Sequence, residues 1–182
     1  MRTKKYTFLL LIALLPLFSS CHRVSLQELQ QYVKDPKNGL IHTRRNAGGS
    51  YTLMYKPLEF MYYLKYGTDP AHSFSAFRKE NENVFFFEVD IRLNKKAGAT
   101  IEPFQFETTR QNFSINSGLN GGYPLSYHME RTNEKEGIVS LSFECEPGKD
   151  IQITYKDIYT GQDLTFPITA EALKALPKSK LQ

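Results

Sequence analysis

The chain has 182 residues, of which 41% are hydrophobic and 13% aromatic, with 23 basic and 19 acidic side chains. This composition excludes a disordered or collagen-like chain, and two cysteines are too few for a small disulfide-stapled fold. The chain has one long apolar stretch, at its N-terminus, so a multi-pass membrane protein is excluded as well.

Residues 1–20 have the organisation of a secretory signal peptide. Three basic residues open the segment, an apolar run covers residues 8–18, and two serines precede Cys21. This order of a basic region, a short apolar core and small residues is typical of a cleaved signal. The apolar core is too short to cross a bilayer, for which a helix needs about 20 residues.

The end of this segment resembles the lipobox of bacterial lipoproteins. Residues 17–21 read Leu-Phe-Ser-Ser-Cys, with small residues directly before the cysteine. The resemblance implies that the chain is cut before Cys21 and that Cys21 carries acyl chains. Each buried CH₂ contributes roughly 0.8 kcal/mol to membrane binding, so a triacylated cysteine anchors its protein permanently.

The residues after the cysteine indicate the membrane in which the lipoprotein is expected. His22 occupies the position where, in enterobacterial lipoproteins, an aspartate causes retention in the inner membrane. Residues 22–30 also lack the acidic cluster that resembles a surface-export signal. The resemblance therefore implies an outer-membrane lipoprotein that faces the periplasm.

The net charge of the mature chain is close to zero. The formal charge of +4 includes Arg2, Lys4 and Lys5 of the signal segment, without which 20 basic residues face 19 acidic ones. A nucleic-acid partner is not expected, because such domains usually carry a basic stripe and a high pI. The charge is uneven, however, since residues 21–79 carry nine basic and four acidic side chains. These residues either attract anionic lipid headgroups or are a solvated mixture of charges without a role, the second being preferred.

The chain from residue 83 to residue 169 has the pattern of a β-sandwich. Apolar and polar residues alternate through about seven short segments separated by Gly, Asn and Pro, with Phe85, Phe87 and Val89 as the clearest example. One of these segments contains Phe104 and Phe106. The region resembles the immunoglobulin-like domains of exported bacterial proteins in architecture, although it lacks their paired cysteines and core tryptophan.

Residues 21–82 predict a small helix and hairpin region ahead of the sandwich, which makes the fold class mostly β with N-terminal helices (α+β). Ser25 and Glu28 form a capping-box pattern before a helix at 26–34. A hairpin is expected over residues 39–56, a helix from Pro57, and another helix from Asp69-Pro70 to about residue 79. Residues 170–182 are expected to form a C-terminal tail that frays at its end.

No catalytic or cofactor motif stands out, and neither a metal site nor a cofactor is expected. The histidines do not have metal-ligand spacing, and no nucleotide-binding or nucleophile-elbow motif is present. Cys145 shares its alternation phase with Val139, Leu141 and Phe143, so a buried core cysteine is expected in preference to a nucleophile. The chain is therefore predicted not to be an enzyme; a hydrolase or hydrolase inhibitor is a remote third option.

Two stretches are candidates for binding. The first is an aromatic cluster, which is either an interface or part of the core, the core being preferred. The second is the glycine-rich connection from Asn116 to His128, which either recognises a ligand or only connects two strands. The candidate residues are Tyr51, Tyr55, Tyr62, Tyr63 and Tyr66 in the cluster, and Asn120, Tyr123, Tyr127 and His128 in the connection.

These features predict a lipid-anchored envelope protein that acts without catalysis, as a binding or scaffolding module for an envelope protein partner. The alternative is an envelope lipoprotein that binds a glycan or small ligand through the aromatic cluster and the connection. Tyrosine side chains suit both functions, because each combines a flat apolar face with a polar tip.

Overall fold

The computed structural model describes residues 23–94 and 108–182. Within these ranges the chain is mostly β, with eight strands in two antiparallel sheets and four α-helices, which is an α+β fold. The signal segment, Cys21 and the strand expected at Phe104 and Phe106 lie outside the described residues. In chain order the elements are α1 (Leu26–Lys34), a 3-10 turn (Pro36–Asn38), β1 (Ile41–Arg45), β2 (Gly49–Lys56), α2 (Leu58–Tyr66), α3 (Phe74–Glu80), β3 (Val84–Leu93), a 3-10 turn (Arg110–Asn112), β4 (Phe113–Ile115), β5 (Ser126–Arg131), β6 (Glu136–Glu144), β7 (Ile151–Lys156), β8 (Asp163–Ile168) and α4 (Ala170–Lys174).

The larger sheet has the strand order β1-β2-β3-β6-β5, and the smaller has the order β4-β7-β8. The apolar phase of each long strand is buried, as its alternation predicts: Phe87 and Val89 of β3 lie opposite Leu141 and Val139 of β6. Residues of both sheets belong to one hydrophobic cluster. That shared core keeps the connections between strands at the edges of the fold.

The β1–β2 hairpin belongs to the larger sheet. It lies within the expected residues 39–56, and β2 then pairs with β3 along eight residue positions. The boundary expected between residues 82 and 83 therefore separates two strands of the same sheet. The hairpin joins the larger sheet because Tyr51, Leu53 and Tyr55 of β2 form an apolar face that continues the apolar face of β3.

The helix that the capping box at Ser25 and Glu28 predicts is confirmed. The side chain of Ser25 accepts a hydrogen bond from the backbone N–H of Glu28, and α1 has the predicted bounds. The helix expected from Asp69-Pro70 instead begins at Phe74. The Asp69 carboxylate accepts a hydrogen bond from the N–H of Ala71, two residues on, and so stabilises a local turn.

The C-terminal segment is packed, contrary to the expected frayed tail. Ser179 is fully buried and forms a parallel bridge with Val24. Its hydroxyl donates to the carboxylate of Glu59 at 3.2 Å, and the Gln182 side-chain amide donates to the same carboxylate at 3.1 Å. A buried carboxylate needs such donors, so Glu59 holds the C-terminal segment beside the start of α1.

The larger sheet has two distinct ends. The row Lys56–Phe86–Ser142–Ser126 closes one of them, which we call the helical end because α2 follows β2 there. The other, the hairpin end, carries the turn between β1 and β2. The six residue steps along β2 from Ser50 to Lys56 separate the two ends by about 20 Å. No helix among the described residues is long and apolar enough to span a membrane.

Candidate functional site

Two tyrosines of the predicted aromatic cluster belong to the core. Tyr51 is fully buried, and its ring centroid lies 5.3 Å from that of Tyr155 in the opposite sheet. Burial, followed by the nearby Asp157 carboxylate, raises the pKa of Tyr51 above its ordinary value. Tyr55 is also buried and packs edge-on against Phe87. Both side chains are buried, as the core interpretation expects, although Tyr55 also contributes to the lining of a cavity between α1 and α2.

The three tyrosines of α2 differ from one another. Tyr62 is buried, and its hydroxyl donates to the backbone carbonyl of His72 at 2.8 Å. Tyr66 is half-buried and stacks on the imidazole of His72, with the ring centroids 4.0 Å apart. Tyr63 is 45% exposed. Of the five clustered tyrosines, only Tyr63 therefore presents a substantial free face.

Backbone hydrogen bonds tie the connection from Asn116 to Leu125 to β4 and β6. The N–H of Ile115 donates to the carbonyl of Gly122 at 2.8 Å, and the N–H of Leu119 donates to the carbonyl of Glu144 at 2.9 Å. Gly122 has a φ of +79°, and a Cβ there would lie 2.6 Å from the carbonyl oxygen of Ile115. Only glycine fits this close approach.

This connection carries three exposed apolar side chains, which we call the loop surface: Leu119 (48% exposed), Tyr123 (52%) and Leu125 (42%). Asn120, one of the predicted binding residues, lies among them and donates a hydrogen bond to the carboxylate of Glu144. Large apolar side chains grouped on a rigid loop are typical of an interaction site. Leu119 and Leu125 were not singled out by the sequence, where a lone leucine in a polar loop carries no signal.

The other two predicted residues of the connection do not join this surface. The Tyr127 hydroxyl donates to the carbonyl of Thr108 at 2.7 Å, and its ring packs against Phe113. His128 is exposed on the opposite face of the sheet, because successive residues of β5 alternate between faces. The nine predicted residues therefore do not form one site.

A second exposed apolar surface lies between α1 and α2. A cavity of about 340 Å³ separates the two helices, and Leu64 on its rim is 72% exposed. We call it the helical groove, and its lining includes Leu26, Val33, Met54, Lys56, Phe60, Tyr63 and Leu64. The available sequence signal was that α2 is apolar around most of its circumference, so one side of it is left without a partner.

Asp157 is a fully buried carboxylate at the hairpin end. It accepts hydrogen bonds from the Asn46 side-chain amide at 2.8 Å and from the N–H of Tyr159 at 3.1 Å. These donors come from the β1–β2 turn and from the β7–β8 turn. Asp157 therefore ties the two sheets together, which is a structural role.

Cys145 is fully buried on the apolar face of the larger sheet, just past the end of β6. Burial raises the pKa of its thiol to about 11, and the neighbouring Glu144 carboxylate acts in the same direction. The thiolate is the reactive form. The expectation of a core cysteine is confirmed by this burial.

Cys145 is expected to resist alkylation by iodoacetamide in the native protein and to react rapidly in denaturant. At pH 8 a thiol with a pKa near 11 holds far less thiolate than an unfolded cysteine, and the reagent cannot reach a buried sulfur. The extent of labelling is read from the mass of the peptide that contains Cys145. Equal labelling rates in native and denatured protein would contradict the burial.

Among residues 23–94 and 108–182, no three His, Cys, Asp or Glu side chains are grouped so that they could hold a metal ion. Comparison with known proteins adds no relative: no family model, curated protein or solved structure matches the chain. The loop surface and the helical groove are therefore assessed on their own geometry.

Proposed function

We propose that this protein is a lipid-anchored, non-enzymatic component of the bacterial cell envelope that binds a protein partner through the loop surface. The signal-peptide organisation of residues 1–20 and the lipobox resemblance at Cys21 support the anchor and a position on the outer membrane, facing the periplasm. The proposal places the folded body within reach of other proteins of the same membrane.

The proposal includes an immunoglobulin-like sandwich as the body of the protein. The strand order supports it: if β2 to β8 are lettered A to G, the sheets have the orders A-B-E-D and C-F-G. That is the arrangement of constant-type immunoglobulin domains, with β1 added at one edge. In this lettering the loop surface lies on the connection between strands C and D.

The observation that carries the partner-binding proposal is the exposure of Leu119, Tyr123 and Leu125 on a loop that backbone hydrogen bonds hold rigid. A preorganised apolar patch favours association, because little conformational entropy is lost on binding. Glu144 and Glu146 flank the patch and supply a polar, acidic rim. An apolar centre with a polar rim is the usual anatomy of a protein interface.

The test is co-purification from detergent-solubilised membranes. A stoichiometric protein partner is expected with the wild-type chain, and the double variant Tyr123→Ser/Leu125→Ser is expected to lose it. Truncating a central interface side chain costs about 2 kcal/mol or more, which weakens binding at least about 30-fold. The matched control is Ile158→Ser, since Ile158 is 44% exposed and lies in the β7–β8 turn at the hairpin end.

Retention of the partner by the double variant would overturn the assignment of the loop surface. Retention of the wild-type chain on a glycan array, with no protein partner in the pull-down, would favour the alternative function of glycan binding. That alternative uses the exposed Tyr123 ring and the Asn120 amide, which lie on the same connection.

A further inference from the structure

The start of the described chain lies at the helical end of the larger sheet. Val24 bridges Ser179, whose hydroxyl bonds Glu59 in the first turn of α2. Three residues after Arg23, the side chain of Leu26 lines the helical groove together with Leu64. The described chain therefore starts three residues before a side chain that lines this groove.

Covalent geometry limits the distance from the groove to the proposed anchor. Cys21 precedes Arg23 by two residues, and a residue extends at most about 3.6 Å. The two residue steps between Cys21 and Arg23 can therefore span at most about 7 Å. An acylated Cys21 would hold the helical end of the sheet against the bilayer, and no long linker would let the body turn away.

The surface presented there combines apolar and basic side chains. Tyr63 is 45% exposed and Leu64 is 72% exposed. Lys65 follows them on α2 and is exposed, with its ammonium group 5.0 Å from the centre of the Tyr66 ring. Arg23 and Lys180 are exposed beside the chain start. Two acidic side chains nearby are already engaged: Glu28 belongs to the capping box of α1, and Glu88 pairs with Lys56 of the groove at 2.7 Å.

We infer that the helical groove is a bilayer-docking surface, on which Tyr63 and Leu64 enter the headgroup region while the basic side chains contact anionic lipid. This inference rests on the proposed lipid anchor and adds an orientation to it. Tyrosine is suited to the interface, because its ring is apolar and its hydroxyl stays hydrated. Lysine and arginine are attracted to the negative lipid surface.

The loop surface is less suited to lipid, although it lies at the same end of the sheet. Three strand spacings separate β2 from β5, which places the loop surface about 14 Å to the side of the groove. Its flanking charges are the carboxylates of Glu144 and Glu146 and the ammonium group of Lys149, which lies 3.2 Å from the Glu146 carboxylate. The group keeps a net negative charge, which anionic headgroups repel. The charges around the two surfaces therefore favour lipid binding at the groove and protein binding at the loop surface.

The absence of tryptophan from the chain provides a direct test. The full lipidated chain carrying a single Leu64→Trp substitution is reconstituted into vesicles of phosphatidylethanolamine and phosphatidylglycerol, with or without bromine on the acyl chains. We expect a blue-shifted emission and a loss of fluorescence in the brominated vesicles. Tyr63→Trp on the neighbouring position provides a second reporter should the first variant fold poorly.

Ile158→Trp is the matched control, because its side chain is comparably exposed but lies at the hairpin end, about 20 Å from the helical end. Its fluorescence is expected to be the same in both kinds of vesicle. Equal emission from the Leu64→Trp and Ile158→Trp proteins, in chains that float with the vesicles, would overturn the docking surface and leave the anchor standing.

Two other outcomes bear on the proposed function. Failure of the chain to float, with an unmodified Cys21 thiol in the N-terminal peptide, would overturn the anchor and the docking surface together. A Leu119→Trp reporter quenched as strongly as Leu64→Trp would overturn the separation between the two surfaces, and the loop surface would then be membrane-facing. The expected result is quenching at Leu64→Trp without quenching at Leu119→Trp.

Discussion

Replacement of Cys21 by alanine is expected to move the protein from the membrane fraction to the soluble fraction. Each acyl CH₂ contributes roughly 0.8 kcal/mol to membrane binding, and two or more chains make the attachment effectively permanent. Contact through Tyr63 and Leu64 alone is too small a surface to replace them. The measurement is fractionation of cells that express the variant, combined with the mass of its N-terminal peptide.

Cys145→Ala is the matched control for this experiment, because it removes the other cysteine of the chain while leaving residues 17–21 unchanged. It is expected to remain in the membrane fraction with a lipid-modified N-terminus. Membrane association of the Cys21→Ala protein with metabolically incorporated lipid would contradict the anchor, and both surfaces would then need another explanation.

Phe87→Ala is expected to lower the free energy of unfolding by about 3–5 kcal/mol, since truncating a buried phenylalanine removes apolar contacts and leaves a cavity. Phe87 is 1% exposed, and its ring lies edge-on to Phe143 at a centroid distance of 6.0 Å. Such a loss is a large part of the total stability of a typical domain, about 5–15 kcal/mol. Urea unfolding monitored by circular dichroism measures it.

Phe86→Ala is the matched control, because Phe86 is the adjacent residue of the same strand and lies on the opposite, less buried face. Its loss is expected to be clearly smaller than that of Phe87→Ala. The reverse order, with Phe86→Ala the more damaging variant, would mean that β3 is displaced by one residue, since such a shift exchanges the two faces of a strand.

Local patterns in the sequence predicted much of the fold. The alternation in residues 84–93 and 139–145 predicted both the strands and the burial of Phe87, Phe143 and Cys145. The capping box at Ser25 predicted the bounds of α1. These predictions succeed because each depends on contacts within one element, or on which face of one strand is apolar.

Other predictions failed or stayed open because they depend on partners that are distant in the chain. Ser179 is buried by Val24 and Glu59, which lie more than a hundred residues before it. The sequence predicted the β1–β2 hairpin ahead of the sandwich, as a region separate from it. In the structure the pairing of β2 with β3 places this hairpin in the larger sheet. Asp69-Pro70 resembles a helix start, yet the Asp69 side chain stabilises a turn and the helix begins at Phe74.

For the candidate binding residues, too, exposure depends on elements that are distant in the chain. All the clustered tyrosines have the same chemistry, but Tyr51 is enclosed by the second sheet while Tyr63 faces solvent. The exposed Leu64, Leu119 and Leu125 carry no signal of their own in the sequence. Their positions together at one end of the larger sheet follow from the cross-strand row that joins Lys56 to Ser126.

The amino-acid sequence by itself determined the order of basic, apolar and small residues over positions 1–20, the apolar phase of each long strand and the capping box of α1. The tertiary structure was needed to show which apolar side chains remain uncovered. It was also needed to show that the helical groove adjoins the start of the described chain. The physical reason is that periodicity reports the faces of a single element, whereas the covering of a face depends on elements that pack against it from elsewhere in the chain.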